Sequence, residues 1–151
     1  MINKIDLTKI LDIYSDGAVS GNPGVAGAGV VFIQNSKIIH TISRNIGIGT
    51  NNAAELSAIL FALQKIDSLK NAKQLFKHRI RLYTDSQYCL GSIKKNWNAK
   101  KNIDLIREIK KLVNKFDHLT FHHVRGHSGV WGNEMADAAA VKAKFLNGVN
   151  K

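Results

Sequence analysis

Ile10-Leu11-Asp12-Ile13-Tyr14-Ser15-Asp16, followed by Gly17, has the apolar alternation of a half-buried strand and ends in an Asp-Gly pair suited to a turn. Outward from it, the glycine-rich Gly21-Asn22-Pro23-Gly24 turns the chain. Residues 27–34 then supply a second strand rich in Val and Ile, and Asn35-Ser36 turns tightly into a third over 37–45. Connections this short join antiparallel neighbours, so the three strands are expected to form a meander.

The period then changes. Ala54, Leu56, Ile59, Leu60, Leu63 and Ile66 recur at helical spacing and predict an amphipathic helix over 53–69. Residues 79–84 alternate as a fourth strand, and 86–95 make a short helix. Ile103, Ile106, Ile109, Leu112 and Val113 mark another helix, opened by Asn102 as N-cap. A fifth strand follows over 119–124 and an alanine-rich helix over 134–146. No repeat, low-complexity tract or linker divides the chain, so one domain over 1–151 is expected. The order βββαβααβα predicts an α/β fold: a mixed five-stranded sheet, with a three-strand antiparallel meander plus two parallel strands, flanked by helices.

The first strand has an echo. Ile13-Tyr14-Ser15-Asp16 is answered by Leu82-Tyr83-Thr84-Asp85. A right-handed crossover through the 53–69 helix would set the fourth strand parallel to the first, with the two aspartates roughly 5 Å apart at the strand ends. Open α/β sheets carry their sites there, where strand order reverses. Taken singly, each acid also has a structural use. Asp85 can cap the following helix, and Asp16-Gly17 can be a turn. Glu55, three after Asn52, fits a capping box, and Asp137 complements the dipole of the last helix. Taken together they are costly. Two carboxylates about 5 Å apart repel by roughly 3 kcal/mol at an effective dielectric of 20. Three such pairs approach the stability of a whole domain, about 10 kcal/mol. Such a cluster requires protons or divalent cations between the acids, and an all-oxygen set with open positions suits Mg²⁺, with Mn²⁺ as a substitute.

Charge points the same way. The 151 residues carry 22 Lys+Arg against 11 Asp+Glu, a formal net charge of +11. The excess sits in the second half, where residues 76–151 hold 15 basic and 6 acidic side chains. Residues 94–115 hold eight basic residues against Asp104 and Glu108. That footprint fits a polyanion, most simply nucleic acid, although a solvated helix face has the same composition. With 44% hydrophobic residues and a single proline, the chain reads as globular. No apolar run approaches the ~20 residues of a membrane span. The N-terminus lacks the pattern of a signal peptide, and the lone Cys89 fits a reducing compartment. A cytoplasmic monomer without a membrane or obligatory protein partner is expected.

Four stretches together resemble type 1 ribonuclease H: Tyr14-Ser15-Asp16-Gly17-Ala18-Val19-Ser20-Gly21-Asn22-Pro23-Gly24, Thr50-Asn51-Asn52-Ala53-Ala54-Glu55-Leu56, Thr84-Asp85-Ser86-Gln87-Tyr88, and Val124-Arg125-Gly126-His127-Ser128-Gly129 with Asn133-Glu134 and Asp137 after it. They stand in the family's order over about 12–137. The resemblance implies a ribonuclease H-like fold and endonucleolytic hydrolysis of the RNA strand of RNA–DNA hybrids. It implies two Mg²⁺ ions per site with substrate bound, and 5′-phosphate and 3′-hydroxyl ends. It assigns Asp16, Glu55, Asp85 and Asp137 as metal-binding carboxylates, and His127 to a loop that assists proton transfer or product departure. By the same resemblance Asn22, Asn51 and Gln87 contact the hybrid in its minor groove and Thr50 helps hold a DNA phosphate. Two other readings are a nucleic-acid-binding module without catalysis and a superfamily nuclease acting on DNA junctions.

The sequence departs from the long bacterial form. The basic, tryptophan-rich protrusion is reduced to Ser92-Ile93-Lys94-Lys95-Asn96-Trp97-Asn98-Ala99-Lys100-Lys101-Asn102. Lys94, Lys95, Lys100 and Lys101 remain as candidate phosphate contacts, and Trp97 is read as packing between helices. The shortened form also resembles domains attached to reverse transcriptases; a free-standing enzyme is expected. A zinc site at His122, His123 and His127 is disfavoured because successive strand residues face opposite ways. Gly21, Gly24, Gly27 and Gly29 are read as a hairpin turn, not a nucleotide loop, and Cys89 as core.

Overall fold

The computed structural model describes residues 5–94, 100–126 and 129–146. The elements are β1 (Leu11–Gly21), β2 (Gly24–Gln34), β3 (Lys37–Gly49), α1 (Asn51–Asp67), α2 (Ala72–Leu75), β4 (Ile80–Thr84), α3 (Gln87–Ile93), α4 (Ile103–Val113), β5 (Leu119–His123) and α5 (Trp131–Ala143). They build one five-stranded sheet in the order β3-β2-β1-β4-β5. The β1–β2 and β2–β3 pairs are antiparallel, and β1–β4 and β4–β5 are parallel. The expected meander, and a fourth strand parallel to the first, are both present.

Several boundaries differ from expectation. β1 does not stop at Asp16: it stays paired with β2 as far as Gly21, and the chain turns at Asn22-Pro23. The parallel pairing with β4 ends at Tyr14 and Tyr83. Asp16 therefore lies inside a strand but just past the point where β1 and β4 part. Gly27 and Gly29 belong to β2 rather than to the turn. A Cβ on either would come within 2.4 and 2.3 Å of the Ala140 and Ala136 carbonyl oxygens of α5. That close approach explains the helix's alanines, since Ala136, Ala139, Ala140 and Ala143 are all buried. Ser43 donates a hydrogen bond to the Ala139 carbonyl (2.6 Å), and the Asn45 amide donates to those of Lys144 and Leu146. Side chains of β3 thus help hold the helix that carries Asp137.

The single-turn helix α2 was not foreseen, because Ala72 and Leu75 are its only buried residues and give no period to read. Asn102 stands at the N-cap of α4 as expected, but its side chain makes no capping hydrogen bond: its backbone is left-handed (φ 58°), and its side chain donates to the Tyr88 hydroxyl at 3.2 Å. Ile103 is exposed, whereas Ile106, Ile109 and Leu112 are buried.

The core lies between the sheet and α1. Leu11, Ile13, Phe32, Ile80 and Leu82 meet Leu56, Ile59, Leu63 and Ile66 there. Burying each such side chain is worth about 1.5–3 kcal/mol. Because α1 is enclosed by the sheet on one side and α4 on another, it buries Glu55 and Ser57 along with its apolar stripe. Cys89 joins this core, and burial pushes its thiol up to about 12.

Candidate active site and nucleic-acid interface

Asp16 leaves β1 on the side away from Ile13 and Ser15. Glu55 lies in the second turn of α1, and Gly17 brings the two together. A Cβ at Gly17 would fall 2.6 Å from both the Ala54 carbonyl carbon and the Glu55 amide nitrogen. Only a bare α-carbon lets α1 start so close to the strand. α1 is capped by Thr50, whose hydroxyl accepts from the Ala53 amide at 3.1 Å, rather than by Asn52. Glu55 is therefore not part of a capping box.

Asp85 is likewise not a cap. The Thr84 hydroxyl accepts from the Ser86 amide (3.1 Å), and the Ser86 hydroxyl accepts from the Cys89 amide (3.1 Å). These two bonds, with Ser86 as the cap, start α3, and Asp85 lines the cavity of the acids. One carboxylate oxygen each of Asp16, Glu55 and Asp85 lies within 4.8 Å of the others. Asp137 lines the same cavity, of about 420 Å³, and its charge acts on Asp16. Gly126 touches the Asp85 carboxylate, since a Cβ there would lie 2.8 Å from Oδ2. The segment leading to His127 thus runs to the acids, although His127 itself, like Lys95 and Trp97, lies outside the described residues.

The electrostatics follow from burial. Asp16 and Glu55 are about 5% exposed. Burial raises the Asp16 carboxyl, to about 7, with Asp85 adding to the shift. Burial also raises Glu55, and the neighbouring Asp16 charge pushes it the same way. Each of the two carboxyls is pushed towards its protonated form, by burial first and by the other acids second. Glu55 Oε2 is buried with no hydrogen-bond partner. An orphaned carboxylate oxygen within an oxygen-only donor set fits a hard divalent cation such as Mg²⁺.

These shifts set a direction for stability. Acids whose folded-state pKa lies above the unfolded value support the fold fully below the unfolded value, and the support is lost as pH rises through the folded one. In EDTA the protein is therefore expected to lose stability from about pH 5 upward through pH 7. Saturating Mg²⁺ should flatten that decline, because the ion replaces the proton. Thermal melts across pH with and without Mg²⁺ check this, and parallel curves would contradict it.

Beside the acids lies a second hollow of about 680 Å³. Asn22, Thr50 and Asn51 line one part of it and Lys100 and Lys101 another. The Asn22 side-chain oxygen accepts from the Asn51 amide at 3.0 Å and ties the β1–β2 turn to the start of α1. Asn51 and Tyr88 line both cavities, so the two form one surface. Gln87 borders the acids and stands 3.4 Å from His123. Lys94 is exposed at the end of α3 and does not border the hollow. Among the residues given no role at the site, Tyr88 and Asn102 turn out to line it. Tyr88 bonds Asn102 and the Lys101 carbonyl; the only sequence signal was its place after Asp85-Ser86-Gln87. Asn102 signalled only a helix start. His122 and His123 do face opposite ways: His122 stacks on Tyr83 at 5.0 Å, while His123 faces Gln87.

The chain is similar to known proteins over most of its length. The family model described as RNase H matches residues 8–145. A protein named Ribonuclease H from Ruthia magnifica is 39% identical, over 89% of this chain and 94% of its own. The crystal structure of RNase H1 from the halophilic archaeon Halobacterium salinarum superposes with a TM-score of 0.72 at 31% identity, covering 89% of this chain and 96% of that one. A structure of LC11-RNase H1 in complex with an RNA/DNA hybrid has a TM-score of 0.73 at 26% identity, covering 88% and 98%.

Proposed function

This chain belongs to the RNase H family, and from that premise we propose that it cuts the RNA strand of RNA–DNA hybrids endonucleolytically, leaving 5′-phosphate and 3′-hydroxyl ends. The observation that carries the reading is the meeting of Asp16, Glu55 and Asp85 from three separate elements, with an unbonded Glu55 oxygen among them. Asp16, Glu55, Asp85 and Asp137 would hold the two divalent ions. When bound, such ions supply a nucleophile near neutral pH and stabilise the leaving oxygen in an in-line displacement.

The chain's own residues do the rest. Asp16 and Glu55, whose carboxyls burial raises, would be ionised on holding the ions. Asn22, Asn51 and Gln87 read the minor groove, where the 2′-hydroxyls distinguish RNA from DNA. Thr50 and the Lys100-Lys101 pair hold phosphates, and His127 aids proton transfer or product departure. Lys94 and Lys95 extend the basic surface.

A panel of hybrid, double-stranded RNA, double-stranded DNA and four-way junction, each with Mg²⁺ and with EDTA, tests the proposal. Cleavage of the hybrid alone, abolished by EDTA, is expected. Binding without cleavage in Mg²⁺ or Mn²⁺, or cutting of the junction, would replace it. If Lys100 and Lys101 meet phosphates, their joint change to alanine should raise KM at low salt. The log–log salt slope of hybrid binding should then fall by about 1 to 2. An unchanged slope would remove them from the interface.

A further inference from the structure

The sheet face opposite α1 is covered by α5 over β1, β2 and β3, while on β4 and β5 its side chains stay partly exposed. Tyr14, Tyr83 and His122 come from β1, β4 and β5 in turn and stack on this face. Their centroids lie 4.6 and 5.0 Å apart, with rings 11° and 29° from parallel. Among the described residues the ladder ends at His122, because β5 is an edge strand of the five-stranded sheet. Arg81 adjoins it, 5.9 Å from the Tyr83 ring centre, held by a two-point pair with Asp12 at 2.7 and 2.9 Å. A hollow lies on either side of the Arg79–Arg81 row. One, of about 850 Å³, reaches Lys9 and Trp131. The other, of about 500 Å³, reaches Lys77 and His118. The carboxylates lining them are Asp12, taken up by Arg81, and Asp117. Positive charge therefore prevails beside an unfinished stack of rings.

We propose that this face binds single-stranded nucleic acid, such as the unpaired extension of a hybrid. A base continues the stack on His122, and phosphates run along Arg79 and Lys77. Aromatic stacking joined to a basic groove is how strands are held without sequence preference. An acidic peptide would use the charges but not the ring. The inference rests on the proposed function only in taking nucleic acid as the ligand, and its test involves neither hybrid binding nor the metal site.

The experiment follows a labelled oligothymidylate of about 12 nucleotides by fluorescence anisotropy in EDTA. His122→Ala and Arg79→Glu are each expected to weaken binding about fivefold or more. Arg79→Glu should also lower the salt slope by about 0.7. Both variants should cut a blunt hybrid at the parent rate, and excess blunt hybrid should not displace the oligonucleotide. Affinity unchanged in both variants would overturn the inference, as would full displacement by blunt hybrid. So would an oligoglutamate peptide that competes equally well and is insensitive to His122→Ala. A protein that shows this binding yet cuts no hybrid keeps this inference and loses the proposed function; the converse result does the reverse.

Discussion

Asp16→Asn is expected to lower hybrid cleavage by about a thousandfold or more while raising the melting temperature of the metal-free protein. The loss of activity follows if Asp16 is one of the carboxylates that hold the ions. Lewis-acid stabilisation is worth several kcal/mol, and each 1.36 kcal/mol is tenfold in rate. The gain in stability follows from the packing. Without ions, a carboxyl about 4% exposed has Glu55 and Asp85 oxygens within 4.8 Å. At an effective dielectric of 20, two full charges at that spacing repel by roughly 3 kcal/mol. Asparagine keeps the shape, and its side-chain oxygen can still accept from the Gly17 amide, as Asp16 does at 2.9 Å. The sign depends on pH. Near pH 4 the acid is protonated and the substitution should be almost neutral. As pH rises through about 7, where Asp16 ionises in the fold, the variant should pull ahead. An increase of about 3–8 °C at pH 8 in EDTA is expected for a domain of this size. Melting curves at both pH values, with a hybrid cleavage assay in Mg²⁺, check both halves. A variant that cuts at the parent rate would take Asp16 out of the chemistry. A variant that melts lower at pH 8 would mean the acids do not strain the fold.

Gly17→Ala should destabilise the protein and slow it together. The added methyl would lie 2.6 Å from two backbone atoms of α1, and backbone cannot swing aside as a flexible side chain can. Forcing α1 outward costs about 1–3 kcal/mol, as overpacking generally does. The same shift moves Glu55 away from Asp16 and Asp85. A misplacement near 1 Å can lower turnover about 100-fold. Gly49→Ala is the control, because a Cβ there meets nothing nearer than 3.6 Å. The expected outcome is a lower melting temperature and a lower kcat for Gly17→Ala alone, with part of the activity recovered at high Mg²⁺. If the two variants behave alike, the tight approach of β1 and α1 does not set the acid geometry.

Both arguments mark how far the sequence could be read. The meander, the 53–69 helix and the fourth strand were legible because their apolar residues recur at periods of 2 or 3.6, a property of nearest neighbours along the chain. Gly17 was legible only as half of an Asp-Gly turn. Its use, letting a helix some forty residues later touch the strand, leaves no local trace. Asn102 illustrates the same limit. Asparagine before an apolar helix reads as a cap, and only the position of Tyr88 shows that its amide is engaged elsewhere.

By itself, then, the sequence determined the order and kind of the main elements, the basic second half, the matching segments that carry Asp16 and Asp85, and the family the four motifs resemble. The tertiary structure decided which acids meet, that neither Glu55 nor Asp85 is a cap, and that the hollow lined by Asn22, Thr50 and Lys100 adjoins them. The reason is physical: periodicity and capping act over a few residues, whereas the repulsion, desolvation and close packing at this site act between groups that only the folded chain brings within 5 Å.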